Sequence, residues 1–237
     1  KRQGVYVPGA MVWCARWTEF HGPGLFNHDP LIDVRTNYTL TTITKCCRIL
    51  EDADSCGMCG RFALTLPPEA VRACFRYVEQ PNFPPRANIA PTQPVPVVRM
   101  ERDPDGEKRR HFALVRWAFL PGFVKDPKDF PLVINARSET VLGKPSFRAA
   151  MRRRRCIFIA DAFYEWRRDF SVKGKGKASS QPFLIRRSDG APMAIAGLWE
   201  TWAGPNGEEV DGACVLTTPA NQLISAIHDR MPVILEP

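Results

Sequence analysis

A cysteine stands directly after a methionine in Met58-Cys59-Gly60-Arg61-Phe62. If Met58 is the initiator and is removed, Cys59 carries a free α-amine beside its thiol. A 1,2-aminothiol of this kind does chemistry closed to an internal cysteine. Its amine condenses with an aldehyde to an imine, and its thiol then adds to the imine carbon to close a thiazolidine ring. An amide nitrogen is not nucleophilic, so this chemistry depends on whether residues 1–57 precede Cys59 in the mature protein.

Three further polar residues stand abruptly in apolar text: Asn135 after Pro131-Leu132-Val133-Ile134, Glu165 inside Phe163-Tyr164-Glu165-Trp166, and His228 after Ile224-Ser225-Ala226-Ile227. Strand alternation puts Glu165 on the face of Phe163, with Tyr164 and Trp166 opposite. Facing inward, its carboxyl would be desolvated, its pKa raised, and its proton exchangeable near neutrality. Facing outward, it is a surface glutamate on an edge strand. His228, one of two histidines in residues 58–237, is either a general acid or a partner for a helix C-terminus. Asn135 either orients a substrate through its amide or caps a turn.

Arg61, Arg137 and Arg230 each follow one of Cys59, Asn135 and His228 by two residues. In a strand this spacing returns to the same face, so three arginines could meet in one cleft and neutralise phosphates. Trp117 and Phe123, near Pro121-Gly122, could stack on bases or pack in the core. The run Arg152 to Arg155 reads as a solvated helix end.

The elements that must hold these residues are mostly strands. Strands are expected over Cys59–Leu66, Pro94–Met100, Lys108–Phe119, Cys156–Ala160, Phe163–Arg167, Phe183–Arg187, Met193–Trp202 and Ala213–Thr218. Helices are expected over Pro67–Glu79, Phe147–Arg155 and Ala220–Ile227. Gln80–Gln93 reads as a proline-rich loop, Leu120–Val133 as a second loop, and Phe170–Gln181 as a mobile Lys/Gly/Ser insertion. Asp103-Pro104-Asp105-Gly106, Asp189-Gly190 and Asn206-Gly207 are turn signals. This pattern gives an α+β single domain with an antiparallel β-barrel-like core and flanking short helices.

Residues 1–57 differ in character. They hold six Lys/Arg, six Asp/Glu and four of the eight cysteines, with no persistent period and no run long enough for a signal or membrane span. We read them as an N-terminal extension, either translated upstream sequence or disordered. Residues 58–237 read as one domain truncated at its C-terminal end. Those residues hold 27 Lys/Arg against 19 Asp/Glu, the chain's whole +8 excess, which suits a polyanion but fixes no fold. The cysteines at 59, 74, 156 and 214 form no disulfide framework. Cys56-Gly57-Met58-Cys59 has C-x-x-C spacing but lacks a second spaced ligand pair for zinc. No metal or cofactor is expected.

Six segments in order change the weight of these signals: Met58-Cys59-Gly60-Arg61-Phe62; Asn88-Ile89-Ala90-Pro91-Thr92; Val115-Arg116-Trp117 with Leu120-Pro121-Gly122; Ile134-Asn135-Ala136-Arg137-Ser138-Glu139-Thr140; Ala160-Asp161-Ala162-Phe163-Tyr164-Glu165-Trp166; and His228-Asp229-Arg230-Met231-Pro232. Together they resemble the SOS-response-associated peptidase (SRAP) family of abasic-site sensors. The resemblance implies a β-barrel-like core with a basic channel for single-stranded DNA. It implies a covalent crosslink to abasic sites through Cys59 once Met58 is gone. Glu165 would shuttle protons, His228 would help open the deoxyribose ring, and Asn135 would hold the cysteine end and the adduct. Arg61, Arg137 and Arg230 would bind phosphates, and Pro91 and Phe123 would wedge against or stack on the DNA. Ala118 replaces the family's usual glycine, and Phe123-Val124 replaces a pair that usually contains tryptophan, which weakens the stacking expected there.

The partner expected is single-stranded DNA containing abasic sites. The protein is expected to be monomeric and away from membranes, in a cytoplasm, at a nucleoid or in a nucleus. Two alternatives remain open on the residues alone: a thiol peptidase using Cys59, His228 and Asn135, or a non-catalytic single-strand binder.

Overall fold

The computed structural model describes residues 38–42, 59–168 and 180–235. Strands dominate. In chain order they are β1 (Tyr38–Thr42), β2 (Arg61–Leu64), β3 (Arg86–Ile89), β4 (Pro94–Arg102), β5 (Lys108–Arg116), β6 (Asn135–Arg137), β7 (Arg155–Ala160), β8 (Ala162–Arg168), β9 (Ser180–Arg187), β10 (Met193–Ala203), β11 (Glu209–Pro219), β12 (Arg230–Pro232) and β13 (Ile234–Leu235). Two α-helices accompany them, α1 (Pro68–Phe75) and α2 (Pro145–Arg153). The expected α+β class holds.

Five strands close a ring. β4 pairs with β5 and with β7, β7 with β10, and β10 with β11, all antiparallel. A parallel contact of Gly212 with Arg116 then joins β11 to β5. Closure leaves few free strand edges. Gly212 is required there, because a Cβ at this position would overlap the Ala118 carbonyl. β6 and β12 extend the ring from β11, and β13 extends it from β10. Pro94 and Pro96 fall where β4 has only β5 beside it, since the pairing with β7 covers Val97 to Arg99. A missing N–H is tolerated at such positions.

A second antiparallel sheet, in the order β1-β9-β8-β2-β3, packs on the ring. Phe62 of β2 meets Trp117 at 4.9 Å and Phe158 of β7 at 6.2 Å between ring centroids. One large apolar cluster therefore spans both sheets. Trp117 is fully buried in it and donates through Nε1 to the Ile134 carbonyl at 3.0 Å. It offers no face to a base, which corrects the expectation that it could stack on DNA.

Other differences from the expected elements have local causes. α1 stops at Phe75 because Arg76 turns left-handed at φ 55° and donates back to Arg72. Pro145 occupies the start of α2, the position that tolerates proline. The helix expected at Ala220–Ile227 is only a 3-10 turn at Ile224–Ala226. The proline-rich stretch hides β3, and the short β6 falls just past the second loop, where no element is expected. Residues 1–57 show no persistent helical or strand period, yet Tyr38–Thr42 pairs with β9. The rest of that segment lies outside the described residues. So does the Lys/Gly/Ser insertion, apart from Ser180 and Gln181 in β9. No described helix is long and apolar enough to cross a membrane.

Candidate active site

The alternation read for Phe163–Arg167 positions Glu165. Phe163 enters the main core while Tyr164 and Trp166 pack in a small cluster on the opposite face. β8 is flanked by β2 and β9, so it is no edge strand. Asp161 makes the corner before it. Its Oδ2 accepts from the Thr65 amide at 2.6 Å, the Thr65 hydroxyl at 2.7 Å and the Leu66 amide at 3.1 Å. The end of β2 and the start of β8 are thereby locked in register, with Arg61 opposite Tyr164.

That register brings Cys59 to Glu165. The Cys59 nitrogen donates to Glu165 Oε1 at 2.9 Å, and the Cys59 thiol reaches the same oxygen at 2.7 Å. Cys59 is 5% exposed and Glu165 2%. Burial pushes the Glu165 pKa up, against the hydrogen bond from the Cys59 thiol and the charge of His228, while Asp229 adds to the rise. The carboxyl is therefore held closer to neutrality than an exposed glutamate, in contact with both the nitrogen and the sulfur of Cys59.

Cys59 itself is left-handed, with φ 47°. For a non-glycine residue this costs roughly 1–2 kcal/mol. The angle exists only while a residue precedes Cys59. The i, i+2 argument linking Cys59 to Arg61 fails here, because β2 begins at Arg61. It fails likewise for His228 and Arg230, since β12 begins at Arg230. It holds for Asn135 and Arg137, which share β6 on either side of buried Ala136.

His228 follows the 3-10 turn, and its backbone N–H donates to the Ile224 carbonyl. Its Nδ1 accepts from the Arg230 backbone N–H at 3.0 Å. Asp229 Oδ1 also lies 3.0 Å from Nδ1. The two contacts exclude one another: a backbone amide can only donate, whereas the aspartate needs a proton on Nδ1. In the neutral imidazole the amide contact therefore stands, and the proton sits on Nε2. Asn135 is half-buried and lies opposite Val215 of β11.

The arginines separate. Arg61 donates from Nη1 to Asn88 Oδ1 at 3.2 Å. Arg137 is exposed. Arg230 is 8% exposed and spent on protein groups: Nη1 donates to Glu139 Oε1 at 2.7 Å, while Nη2 donates to Glu139 Oε2 at 3.0 Å and to the Thr217 carbonyl at 2.8 Å. A guanidinium so enclosed is not presented to a phosphate, which corrects its expected role. Pro91 lies half-buried in the turn after β3. Phe123 is 65% exposed. Trp202 pins its loop, donating through Nε1 to the Val124 carbonyl at 2.7 Å.

Sequence reasoning passed over Asn88, Asp161, Glu139 and Thr217. Asn88 and Glu139 stood inside quoted motifs, but nothing local told that they hold Arg61 and Arg230. The other described cysteines are unsuited to nucleophilic work: burial pushes the thiol pKa up at Cys74, Cys156 and Cys214.

Comparisons with known proteins place the chain in a family. Residues 58–237 match the family model described as SOS response associated peptidase (SRAP). The chain is 37% identical over 181 residues to the Bacillus subtilis abasic site processing protein YoqW, covering 75% of this chain and 76% of that one. It is 34% identical over 188 residues to the Escherichia coli abasic site processing protein YedK, covering 76% of each. With the Xenopus tropicalis abasic site processing protein HMCES it shares 30% identity over 219 residues, covering 76% of this chain and 63% of that one. Among solved structures, a Bordetella bronchiseptica protein superposes with a TM-score of 0.58 at 31% identity, covering 74% of this chain and 83% of the other. A Bacteroides thetaiotaomicron protein superposes with a TM-score of 0.60 at 23% identity, covering 75% and 77%, and bears on the fold alone.

Proposed function

As the chain belongs to the SOS response associated peptidase family, we propose that it processes abasic sites in DNA by forming a covalent bond to them through Cys59. The relatives' shared name supports the substrate. The observation that carries the chemistry is the Glu165 carboxyl touching both the nitrogen and the sulfur of Cys59.

An abasic site is a masked aldehyde, closed as a hemiacetal. Opening the ring needs a proton at the ring oxygen and loss of the proton on the hemiacetal hydroxyl; as the imidazolium, His228 gives the first proton and returns to the neutral ring, and the hydroxyl proton passes to water. The free α-amine of Cys59 adds to the aldehyde carbon, and loss of one water gives the imine. The thiol then adds to the imine carbon while its proton passes to the nitrogen, closing the thiazolidine. Glu165 serves both transfers from one oxygen, and its raised pKa lets it give as well as take protons near neutrality. Single-stranded DNA is the natural substrate form, because its sugar is reached without the cost of unpairing. The basic excess of residues 58–237 and the exposed Arg137 favour the approach of the strand.

The reaction requires Cys59 as the N-terminal residue. The peptide bond to Met58 removes the amine. A thiol hydrolase reading shares the Cys59–Glu165 contact but needs only the thiol. Cys59→Ala separates chemistry from binding. It should keep salt-sensitive binding to single-stranded DNA and leave no species that survives denaturation. A covalent product from this variant would reject Cys59 as the attachment point.

A further inference from the structure

We propose that the exposed basic face of α2 is a second phosphate track, which binds the DNA backbone flanking the abasic site where the strand runs on past Arg137. The proposal rests on the reading of the substrate as DNA, and it gives that substrate a binding surface outside the Cys59–Glu165 contact.

Burial sorts the side chains of α2. Phe147, Ala150 and Met151 turn to the core, and Phe147 packs on Phe119 at 5.3 Å between ring centroids. Lys144, Arg148, Ala149, Arg152 and Arg153 are left exposed. Lys144, Arg148 and Arg152 recur every fourth residue, a spacing that makes them neighbours on one helix face. Arg153 widens the row one turn on from Ala149, whose small side chain adds no bulk between the guanidinium groups.

No carboxylate balances this row. α2 itself contains no acidic residue. Between Arg137 and Arg153 the only acid is Glu139, and Arg230 takes it at 2.7 and 3.0 Å. Arg99, Arg109, Arg154 and Arg187 each pair with a carboxylate as well. Among the described residues, Lys144, Arg148, Arg152 and Arg153 pair with none. Arg148 donates from Nε to the Leu142 carbonyl and from Nη2 to the Gly143 carbonyl, both at 3.3 Å. These neutral acceptors orient the guanidinium without neutralising it. The rest of the arginine run stands apart: Arg154 pairs with Glu200 at 3.1 Å, and Arg155 is half-buried.

Helix stability accounts for part of the row only. The dipole favours cations in the last turn, which covers Arg152 and Arg153. Lys144 stands at the N-cap, with no side-chain cap and no acid in the first turn, where a hydroxyl or a carboxylate is the stabilising choice. Like charges four residues apart repel. A polyanion relieves that repulsion and gives up its own counterions on binding.

The row also starts close to the site. Arg137 is exposed at the end of β6. The Thr140 amide donates to the Arg137 carbonyl at 3.1 Å, and the Lys144 amide to the Thr140 carbonyl at 3.3 Å. Two tight turns therefore lead from Arg137 to Lys144. From Lys144 to Arg152 the helix then rises about 12 Å at ~1.5 Å per residue. With ~3.4 Å between phosphates along one stacked strand, this is room for about three of them.

The test combines Arg148→Gln, Arg152→Gln and Arg153→Gln in one variant, which keeps side-chain length and helix propensity while removing the charges. Lys144→Gln is a second variant, exposed at the N-cap and outside the helix packing. The probe is single-stranded DNA carrying one tetrahydrofuran abasic analogue, which cannot open to an aldehyde and so reports binding alone. A short strand is compared with strands extended on the 5′ or the 3′ side of the analogue, across a range of salt. For wild type, extension on one side should steepen the slope of log affinity against log salt by about 2, at about 0.7 for each single-strand phosphate. The triple variant should lose that steepening, and Lys144→Gln should lose about 0.7 of it. The same steepening in both variants would overturn the proposal and leave α2 a solvated helix. So would a wild type that gains nothing from extension on either side. A wild type that binds no strand at all would overturn this proposal together with the reading of the substrate. An α2-dependent gain in a protein that forms no adduct with true abasic DNA would uphold the track and reject the crosslinking chemistry alone.

Discussion

Glu165 carries two opposed demands. It is buried, which disfavours its charge, yet its oxygen accepts from both the nitrogen and the thiol of Cys59. Because its folded pKa lies above the ordinary carboxylate value, its contribution to stability is present below that ordinary value and is lost as pH rises through the folded one. Glu165→Gln should therefore raise the melting temperature at neutral pH, by about 2–4 °C for each kcal/mol recovered, and the gain should vanish under acidic conditions. The same variant should slow adduct formation by roughly 10²–10⁴-fold. Thermal melts across pH and single-turnover rates check the two halves. A variant that is less stable at neutral pH, or one with wild-type rate, would remove the proton-carrying role. The sequence made Glu165 legible because alternation in Phe163–Trp166 is strict. It could not tell inside from outside, since that depends on β2 and β9 closing over β8 from far along the chain.

At the scale of elements, the two aromatic candidates part company. Trp117 leaves the end of β5 and fills the space between the two sheets. Phe123 sits on the loop that follows, exposed, with Trp202 holding the loop in place. Trp117→Ala should cost roughly 3–5 kcal/mol of stability. Phe123→Ala should leave the melt unchanged and weaken binding to single-stranded DNA by about 1–3 kcal/mol, the worth of one stacked base. Chemical denaturation and a binding titration on both variants distinguish them; a full-strength DNA complex in Phe123→Ala would take that ring off the strand path. Sequence alone does not separate these residues, because both are aromatics in the same stretch around Pro121-Gly122. The long strands were legible from their apolar runs. β3 and β6 were not, because four and three residues show no period and their strand character comes from the partners they meet.

At the scale of the molecule, a closed five-strand ring supports a second sheet, and Cys59 stands just before that sheet's β2. The positive excess lies wholly in residues 58–237. Such a balance suits a polyanion or an ordinary solvated surface alike, and does not tell which arginines would be open to a partner. Arg230 shows why: a buried guanidinium with a bidentate carboxylate reads in sequence like any phosphate contact. Arg137→Ala should reduce the slope of log affinity against log salt by about 1, whereas an unaltered slope would remove Arg137 from the phosphate path.

The central claim is that the α-amine and the thiol of Cys59 act together on an abasic aldehyde. The most direct test mixes protein bearing Cys59 at its N-terminus with single-stranded DNA carrying one abasic site, and reads the intact mass under denaturing conditions, beside the same protein acetylated at the α-amine. The account predicts an adduct lighter by one water than the sum of protein and DNA, and none from the acetylated protein. A folded protein with a free Cys59 amine that gives no adduct, or an acetylated one that gives the same adduct, would contradict it.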